Sequence, residues 1–196
     1  MRKVILFMHV SLDGFVAGLN GEMDWINTSD ELFNFVGQRI NQTDTALYGR
    51  VTYQMMEGYW PTAAERPGAS KHDLEHSRWY KSVAKVVLSK TLAAENLSNT
   101  RVVSGNLASA IHELKQQAGS EILMFGSPLA AHALMAENLI DGYWLFVNPV
   151  VLGEGIPLFK GLKEKSVLRL VSSQVFESGV VSLDYVSEGE ERLQNP

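Results

Sequence analysis

The sequence predicts an α/β protein with three layers, in which helices cover both faces of a central sheet of about eight strands. Apolar runs typical of strands buried on both faces recur along the chain, and amphipathic helical segments alternate with them. This alternation favours a mostly parallel sheet. Near the end, two extended runs joined by Glu177-Ser178-Gly179 indicate an antiparallel hairpin. We expect a single domain at 1–187 and a charged tail at 188–196.

The individual elements follow from local signals along the chain. The predicted strands are short and mostly apolar, and they cover residues 4–10, 45–49, 84–88, 100–104, 121–125, 143–147, 167–176 and 180–186. The predicted helices follow capping residues or a proline, and they begin near residues 30, 51, 71, 106 and 128. Thr52 is placed to open the second helix. Glycines predict an irregular loop at 13–21, and prolines predict a break at 59–70.

Composition excludes several classes of function. The net charge is −5 and no dense block of Lys and Arg is present, which argues against a nucleic-acid surface. The chain contains no cysteine, so disulfides, thiolate metal sites and cysteine nucleophiles are excluded. No segment approaches the roughly 20 apolar residues that cross a bilayer. We therefore expect a cytoplasmic protein with neither nucleic-acid nor membrane partners.

Three of the predicted strands end in turns that suit phosphate. These turns are Gly49-Arg50-Val51-Thr52, Ser89-Lys90-Thr91 and Gly126-Ser127-Pro128. The carboxyl ends of parallel strands meet at one edge of a sheet, where helix N-termini offer free N–H groups to anions. Together the turns indicate a dinucleotide-sized ligand, although each alone also fits an ordinary turn. No Gly-x-Gly-x-x-Gly follows the first strand, which disfavours an ordinary Rossmann site.

Six motifs carry a resemblance to a known family, and they lie at 11–17, 47–53, 87–91, 124–127, 139–143 and 148–155. In this order they resemble the dihydrofolate-reductase-like superfamily, and most closely the reductase domain of the bifunctional riboflavin-biosynthesis deaminase/reductase. The resemblance covers roughly residues 2–186. It departs from folate reductases at Ser127, where those enzymes have a second glycine. It departs from the riboflavin branch at Gly142, where an acidic residue is common.

The resemblance implies a reductase that uses NADPH. Hydride would pass to a C=N or C=O group of a heterocyclic (pterin- or folate-like) or ribitylamino-pyrimidine-like substrate. The mobile loop would border the nicotinamide, and the turn after residue 88 would contact the 2′-phosphate and favour NADPH over NADH. The residues that the resemblance assigns to the cofactor are Val16, Ala17, Gly49, Arg50, Val51, Thr52, Leu88, Ser89, Lys90, Thr91, Gly126, Ser127, Pro128 and Leu129.

The resemblance implies that the substrate is bound by Asp13, Trp25, Asp30 and Tyr48, and that Asp30 is the catalytic carboxylate. A buried carboxylate there can bind a paired N–H edge and assist protonation of the reduced ring. Alternatively, Asp30 belongs to a helix start and interacts with its dipole. An NADPH-binding sensor or carrier without efficient catalysis is the alternative function. A true folate or pterin reductase would need a deep apolar slot beside Asp30.

Histidines and apolar edges give the remaining expectations. His72 and His76 have the spacing of a two-histidine metal face, but the polar segment around them favours a solvated helix face and no metal. His9 is interpreted as a core residue, with an approach to the nicotinamide as the alternative. Apolar edge material at 146–152 and in the terminal hairpin predicts a homodimer, which the resemblance also implies.

Overall fold

The computed structural model describes residues 1–93, 95, 97–162 and 164–188. Its strands are β1 (Val4–Ser11), β2 (Phe15–Ala17), β3 (Thr45–Gly49), β4 (Ala84–Leu88), β5 (Thr100–Val103), β6 (Ile122–Phe125), β7 (Gly142–Asn148), β8 (Ile156–Pro157), β9 (Leu168–Val175) and β10 (Val181–Ser187). Its helices are α1 (Asp30–Ile40), α2 (Arg50–Glu57), α3 (Trp60–Ala63), α4 (Lys71–Ser82), α5 (Leu107–Gln116) and α6 (Pro128–Ala136).

Eight strands form the main sheet in the order β5-β4-β3-β6-β1-β7-β10-β9. The six from β5 to β7 are parallel, whereas β10 pairs antiparallel with both β7 and β9. A separate antiparallel pair joins β2 to β8. The predicted mostly parallel sheet with an antiparallel C-terminal hairpin is therefore confirmed.

Helices cover both faces of this sheet. Ile111 of α5 and Leu134 of α6 pack into one buried cluster with alternate residues of β1 such as Leu6. Leu32 of α1 and Trp79 of α4 pack into a second cluster on the opposite face. Because side chains alternate across a strand, two apolar faces need two helical layers, which gives the three-layer arrangement. No helix in the described part of the chain has the length and apolar character needed to span a membrane.

Several local predictions were wrong. The predicted irregular loop contains the three-residue strand β2, and the predicted helix break contains α3 with Pro61 in its first turn. Helix α2 begins at Arg50 with Gly49 as its N-cap, so Thr52 does not open it. Most of the predicted tail, 189–196, lies outside the described residues, and the domain boundary at 187 stays a prediction.

The predicted solvated histidine face on α4 was also wrong. His76 is 9% exposed, and its ring centroid lies 4.0 Å from that of Trp60 and 4.9 Å from that of Trp79. His72 stacks on Phe33 at 4.0 Å with an interplanar angle of 7°. Burial lowers the pKa of both histidines, and that of His76 falls from 6.5 to about 3. Both rings are therefore neutral at pH 7 and help to join α4 to its neighbours.

The stability of this packing is expected to fall in acid. The pKa of His76 is lower in the folded chain than in the unfolded chain, so its contribution is complete above pH 6.5 and is lost as pH falls toward 3. The wild type should lose about 2 kcal/mol more of its unfolding free energy than His76→Phe between pH 7.5 and 5. Urea unfolding at both pH values measures this, and the exposed His112→Phe is the matched control. Equal losses in the wild type and His76→Phe would contradict the assignment.

Candidate functional site

The central strand β1 extends beyond its neighbour β6. Phe7 pairs with Phe125, the last residue of β6, while β1 continues to Ser11 alongside β7. After β6 the chain turns at Gly126, whose N–H donates to the Phe7 carbonyl at 3.3 Å. After β1 the chain leads to α1 on one face of the sheet, and after β6 it leads to α6 on the other face. This arrangement leaves residues 8–11 of β1 without a β6 partner at a topological switch point, which is where open α/β sheets bind ligands. We call the region beside these residues the notch.

Two helix N-termini meet next to this notch. The Gly49 N–H donates to Ser127 Oγ at 2.9 Å, and the Ser127 hydroxyl donates to Thr52 Oγ1 at 2.7 Å. Neither α2 nor α6 has a side-chain cap on its first turn. The N–H groups in the first turn of α2, and those that follow Pro128 in α6, thus have no side-chain cap, and each terminus carries roughly half a positive charge. Two such termini side by side suit a doubly anionic group such as pyrophosphate.

The contact between these two turns depends on a glycine. A Cβ atom placed on Gly49 would lie 2.7 Å from Ser127 Oγ, 2.8 Å from Ser127 Cβ and 3.1 Å from Ala130 Cβ. Gly126 and Ser127 both have positive φ angles, of 52° and 61°, which turn the chain sharply into α6. Ser127 is buried, and its hydroxyl fastens α6 to α2. Ser127, which stands where folate reductases have a second glycine, therefore links the two turns through its hydroxyl group.

The third predicted turn lies at the same edge of the sheet, because β4 is the neighbour of β3. Ser89 Oγ accepts N–H bonds from Thr91 at 3.1 Å and from Leu92 at 2.9 Å, which shapes the turn. Lys90 and Thr91 are exposed, while Leu88 is half-buried. The structure thus brings all three predicted turns to one edge and leaves the lysine free of the core.

Exposed aliphatic side chains flank the two helix starts. Val51 is 68% exposed on α2, and Leu129 is 83% exposed on α6. Arg50 is also exposed, with its guanidinium donating to Gln54 at 2.9 Å. Apolar and cationic groups around free N–H donors can contact both the sugar and the phosphate parts of a nucleotide.

A pair of loops closes the other side of the notch. Val16 and Ala17 of β2 are buried, and β2 pairs with β8. Asp13 ties these loops together, since its two carboxylate oxygens accept N–H bonds from Leu152 at 3.1 Å and Gly153 at 2.8 Å. The Ser11 hydroxyl, followed by these N–H groups, lowers the pKa of Asp13 below its ordinary value. Asp13 was predicted to bind substrate, but both of its oxygens already bridge the loops.

The other predicted substrate residues occupy different environments. Asp30 is exposed as the first residue of α1, after the Ser29 N-cap, where a carboxylate interacts favourably with the helix dipole. Trp25 is half-buried and donates its indole N–H to the Glu22 carbonyl at 3.1 Å. Tyr48 is 1% exposed and stacks on Phe125 in the core. Tyr48 therefore lies in the core and its substrate contact stays a prediction, whereas the carboxylate at position 30, which was expected to be buried, is exposed.

The partial exposure of residues at the centre of the sheet was not predicted from the sequence. Phe7 and His9 lie on β1, a central strand of the sheet, yet both are partly exposed. A side chain on a central strand reaches solvent only where the covering helical layer has a gap. The sequence feature that could have indicated this exposure is His9, a histidine within an otherwise apolar strand.

Other features of the described residues do not compete with the notch. No group of three or more His, Asp and Glu side chains in the described ranges is placed to hold a metal ion. A shallow cavity lined by Thr45, Lys85 and Arg101 opens at the amino ends of β3, β4 and β5, the opposite edge of the sheet. The groups suited to a dinucleotide are therefore concentrated at the carboxyl edge.

Comparisons with known proteins agree with the fold. The family model described as the RibD C-terminal domain matches residues 2–182. The uncharacterized protein YyaP of Bacillus subtilis is 34% identical over 187 residues, which is 94% of each chain. A solved structure from Shewanella sp. PV-4, assigned provisionally to riboflavin biosynthesis, matches 95% of this chain and 99% of its own with a TM-score of 0.74 and 22% identity.

A bifunctional protein from Thermotoga maritima provides a second structural comparison. It is a diaminohydroxyphosphoribosylaminopyrimidine deaminase/5-amino-6-(5-phosphoribosylamino)uracil reductase. The match covers 95% of this chain and 57% of that chain, with a TM-score of 0.64 and 16% identity. At these identities the two solved structures show a shared fold.

Proposed function

This chain belongs to the RibD C-terminal domain family, and from that premise we propose that it is an NADPH-dependent reductase. It transfers hydride to a C=N or C=O group of a small heterocyclic (pterin- or folate-like) or ribitylamino-pyrimidine-like substrate. The family supports the general class, a pyrimidine-reductase-like oxidoreductase. The observation that carries the proposal is the meeting of two uncapped helix N-termini beside the notch.

The residues at this edge fit NADPH. The α2 and α6 N-termini offer N–H donors to the pyrophosphate, and exposed Lys90 offers a cation to the 2′-phosphate two strands away from the notch. The residues proposed to hold the phosphates are Gly49, Arg50, Val51, Thr52, Ser89, Lys90, Thr91, Gly126, Ser127, Pro128 and Leu129. Val16 and Ala17, on β2 next to β1, are proposed to border the nicotinamide.

The protein mainly positions the reactants in chemistry of this kind. When bound, NADPH supplies the hydride. The free edge of β1 and the loops joined by Asp13 fix the place where the reacting rings meet. Burial of Val16 and Ala17 keeps water from that side of the notch. Asp30 remains our candidate for the proton source. Because its side chain is exposed, it contacts a substrate only if that substrate extends toward the start of α1.

The exposure of Asp30 is also the observation that favours the second candidate, an NADPH-binding sensor or carrier without efficient catalysis. Loss of NADPH absorbance at 340 nm, followed with a panel of pterins, folates and ribitylamino-pyrimidines, separates the two candidates. Turnover with at least one compound supports a reductase. Tight NADPH binding with no turnover across the panel supports the sensor or carrier.

We also propose that the protein is a homodimer. The edge strand β9 is exposed on both faces, and its apolar residues Leu170, Val171 and Val175 are 47%, 52% and 66% exposed. An apolar edge strand of this kind is a site for pairing with another chain. Light scattering at micromolar concentration should give the mass of a dimer, whereas the mass of one chain would contradict this proposal.

A further inference from the structure

His9 stands at the notch with its ring held from one side. It lies on the face of β1 that α1 covers, its ring stacks on Phe146 at 5.2 Å, and it meets Phe7 edge-on at 5.8 Å. The residue is two positions beyond Phe7, the last residue that pairs with β6, so it lies in the part of β1 that has only β7 as a neighbour. The ring is therefore fixed by its neighbours at the point where the sheet opens.

The side chain of Asn148 determines which nitrogen of His9 carries the proton. Asn148 is fully buried, its Oδ1 accepts the Asn27 N–H at 2.8 Å, and its Nδ2 donates to the Phe146 carbonyl at 3.0 Å. These partners fix the orientation of the amide. The Nδ2 atom also lies 3.3 Å from His9 Nδ1 and 3.5 Å from the Val10 carbonyl. Because Nδ2 can only donate, Nδ1 of His9 accepts, and the neutral ring carries its proton on Nε2.

The Nε2–H group is left available for a ligand. Within the described part of the chain this group has no hydrogen-bonding partner, and its nitrogen atom is not fully buried. Burial lowers the pKa of His9 to about 4, so the ring stays neutral at physiological pH. His9 therefore presents a single uncharged donor at the opening of the sheet.

A series of aromatic side chains extends from Phe7, which contacts His9, along the same face of the sheet. Ring contacts run continuously from Phe33 through His72, Trp60, His76, Trp79 and Phe125 to Phe7. The partly exposed members are Phe7, Phe33, Trp60 and His72, whereas the other three are buried. Flat rings bind to such a surface by stacking and by burial of apolar area.

We propose that His9 is a substrate-binding residue whose Nε2–H donates to a carbonyl oxygen or ring nitrogen of a flat, uncharged heterocycle. This inference rests on the proposed function, because it takes the substrate to lie at the notch beside the nicotinamide. It also predicts a specificity. A carboxylate such as Asp30 selects the N–H edge of a ring, whereas His9 selects an edge that presents an acceptor.

Pterin binding tests this role directly. Pterin fluorescence is titrated with the wild type, His9→Phe and His9→Gln in the presence of saturating NADP⁺. His9→Phe keeps an aromatic ring of similar size but removes the donor, and we expect it to weaken pterin binding about tenfold or more. His9→Gln restores an N–H donor and should stay within about threefold of the wild type. Exposed His112→Phe, on α5 across the sheet, is the matched control and should bind as the wild type does.

The outcomes separate this inference from the proposed function. NADPH binding, followed by tryptophan quenching, should be present in all four proteins, and its absence from the wild type would overturn the proposed function. Wild type that binds NADPH but neither pterin nor a ribitylamino-pyrimidine would overturn the role of His9. His9→Phe that binds pterin as tightly as the wild type would also overturn it. Nitrogen-15 NMR of the imidazole adds a readout that needs no ligand. A proton on Nδ1 of His9 at pH 7 would overturn the donor assignment.

Discussion

Gly49→Ala is expected to weaken NADPH binding at least tenfold and to lower the unfolding free energy by about 1–3 kcal/mol. The added Cβ would lie 2.7 Å from Ser127 Oγ and 3.1 Å from Ala130 Cβ. These atoms belong to the start of α6, so relief of the overlap must move the two helix N-termini apart. The donors of both helices would then no longer converge on one pyrophosphate. Fluorescence titration with NADPH and urea unfolding measure the two effects.

A second substitution gives this prediction a control. Ser127→Gly removes the two Ser127 atoms that the new Cβ would meet at 2.7 and 2.8 Å, keeps the 3.1 Å contact with Ala130 Cβ, and relaxes a positive φ angle of 61°. Ser127→Gly also loses the hydrogen bonds to Gly49 and Thr52, so the double variant should be destabilised by less than the sum of the two single variants, with a coupling energy of about 1 kcal/mol or more. NADPH affinity that is unchanged in Gly49→Ala despite its lower stability would mean that this turn has only a structural role.

Lys90→Ala is expected to reduce the affinity for NADPH by about ten- to a hundredfold and to change the affinity for NADH less than about twofold. A hydrogen bond between a lysine and a phosphate contributes about 1.5–3 kcal/mol, and NADH has no 2′-phosphate to accept it. Lys90 is a better residue to substitute than Ser89, because Ser89 Oγ also accepts the N–H bonds of Thr91 and Leu92 that shape the turn. Parallel titrations with both cofactors measure the change in preference.

The matched control for this change is Lys3→Ala, which removes an exposed lysine just before β1. It should alter neither affinity, because the residue before β1 lies at the amino edge of the sheet, opposite the three turns. If Lys90→Ala weakens NADPH and NADH equally, the lysine acts as a general cation and does not read the 2′-phosphate.

Sequence patterns predicted the fold wherever the element was long enough to show a period. Strand β1 is a run of apolar residues, and α1 carries Leu32, Val36 and Ile40 at helical spacing. Strands β2 and β8 have three and two residues, which is too short for a periodic signal, and only their pairing across the chain forms them. The burial of His76 was not predicted for a related reason. Its polar neighbours in sequence do not reveal that Trp60 and Trp79 cover it.

The candidate site was predictable only in part, for physical reasons that differ between residues. Strand order brings the turns after β3, β4 and β6 to one edge, and that follows once the sheet is parallel. The bond between Ser127 and Thr52 joins residues 75 positions apart, so no local pattern indicates it. The burial of Tyr48 and the exposure of Asp30 depend on how the helices pack, and a single sequence does not encode that packing as a readable pattern.

The central claim, a cofactor site for NADPH at the carboxyl edge of the sheet, is tested most directly by tryptophan fluorescence with NADPH and NADH side by side. The chain has four tryptophans to report binding. We predict saturable quenching by NADPH in the micromolar range or below, with NADH binding at least about tenfold more weakly because Lys90 lacks its phosphate partner. Quenching by neither cofactor would contradict the site, and equal affinity for both would contradict the assignment of Lys90.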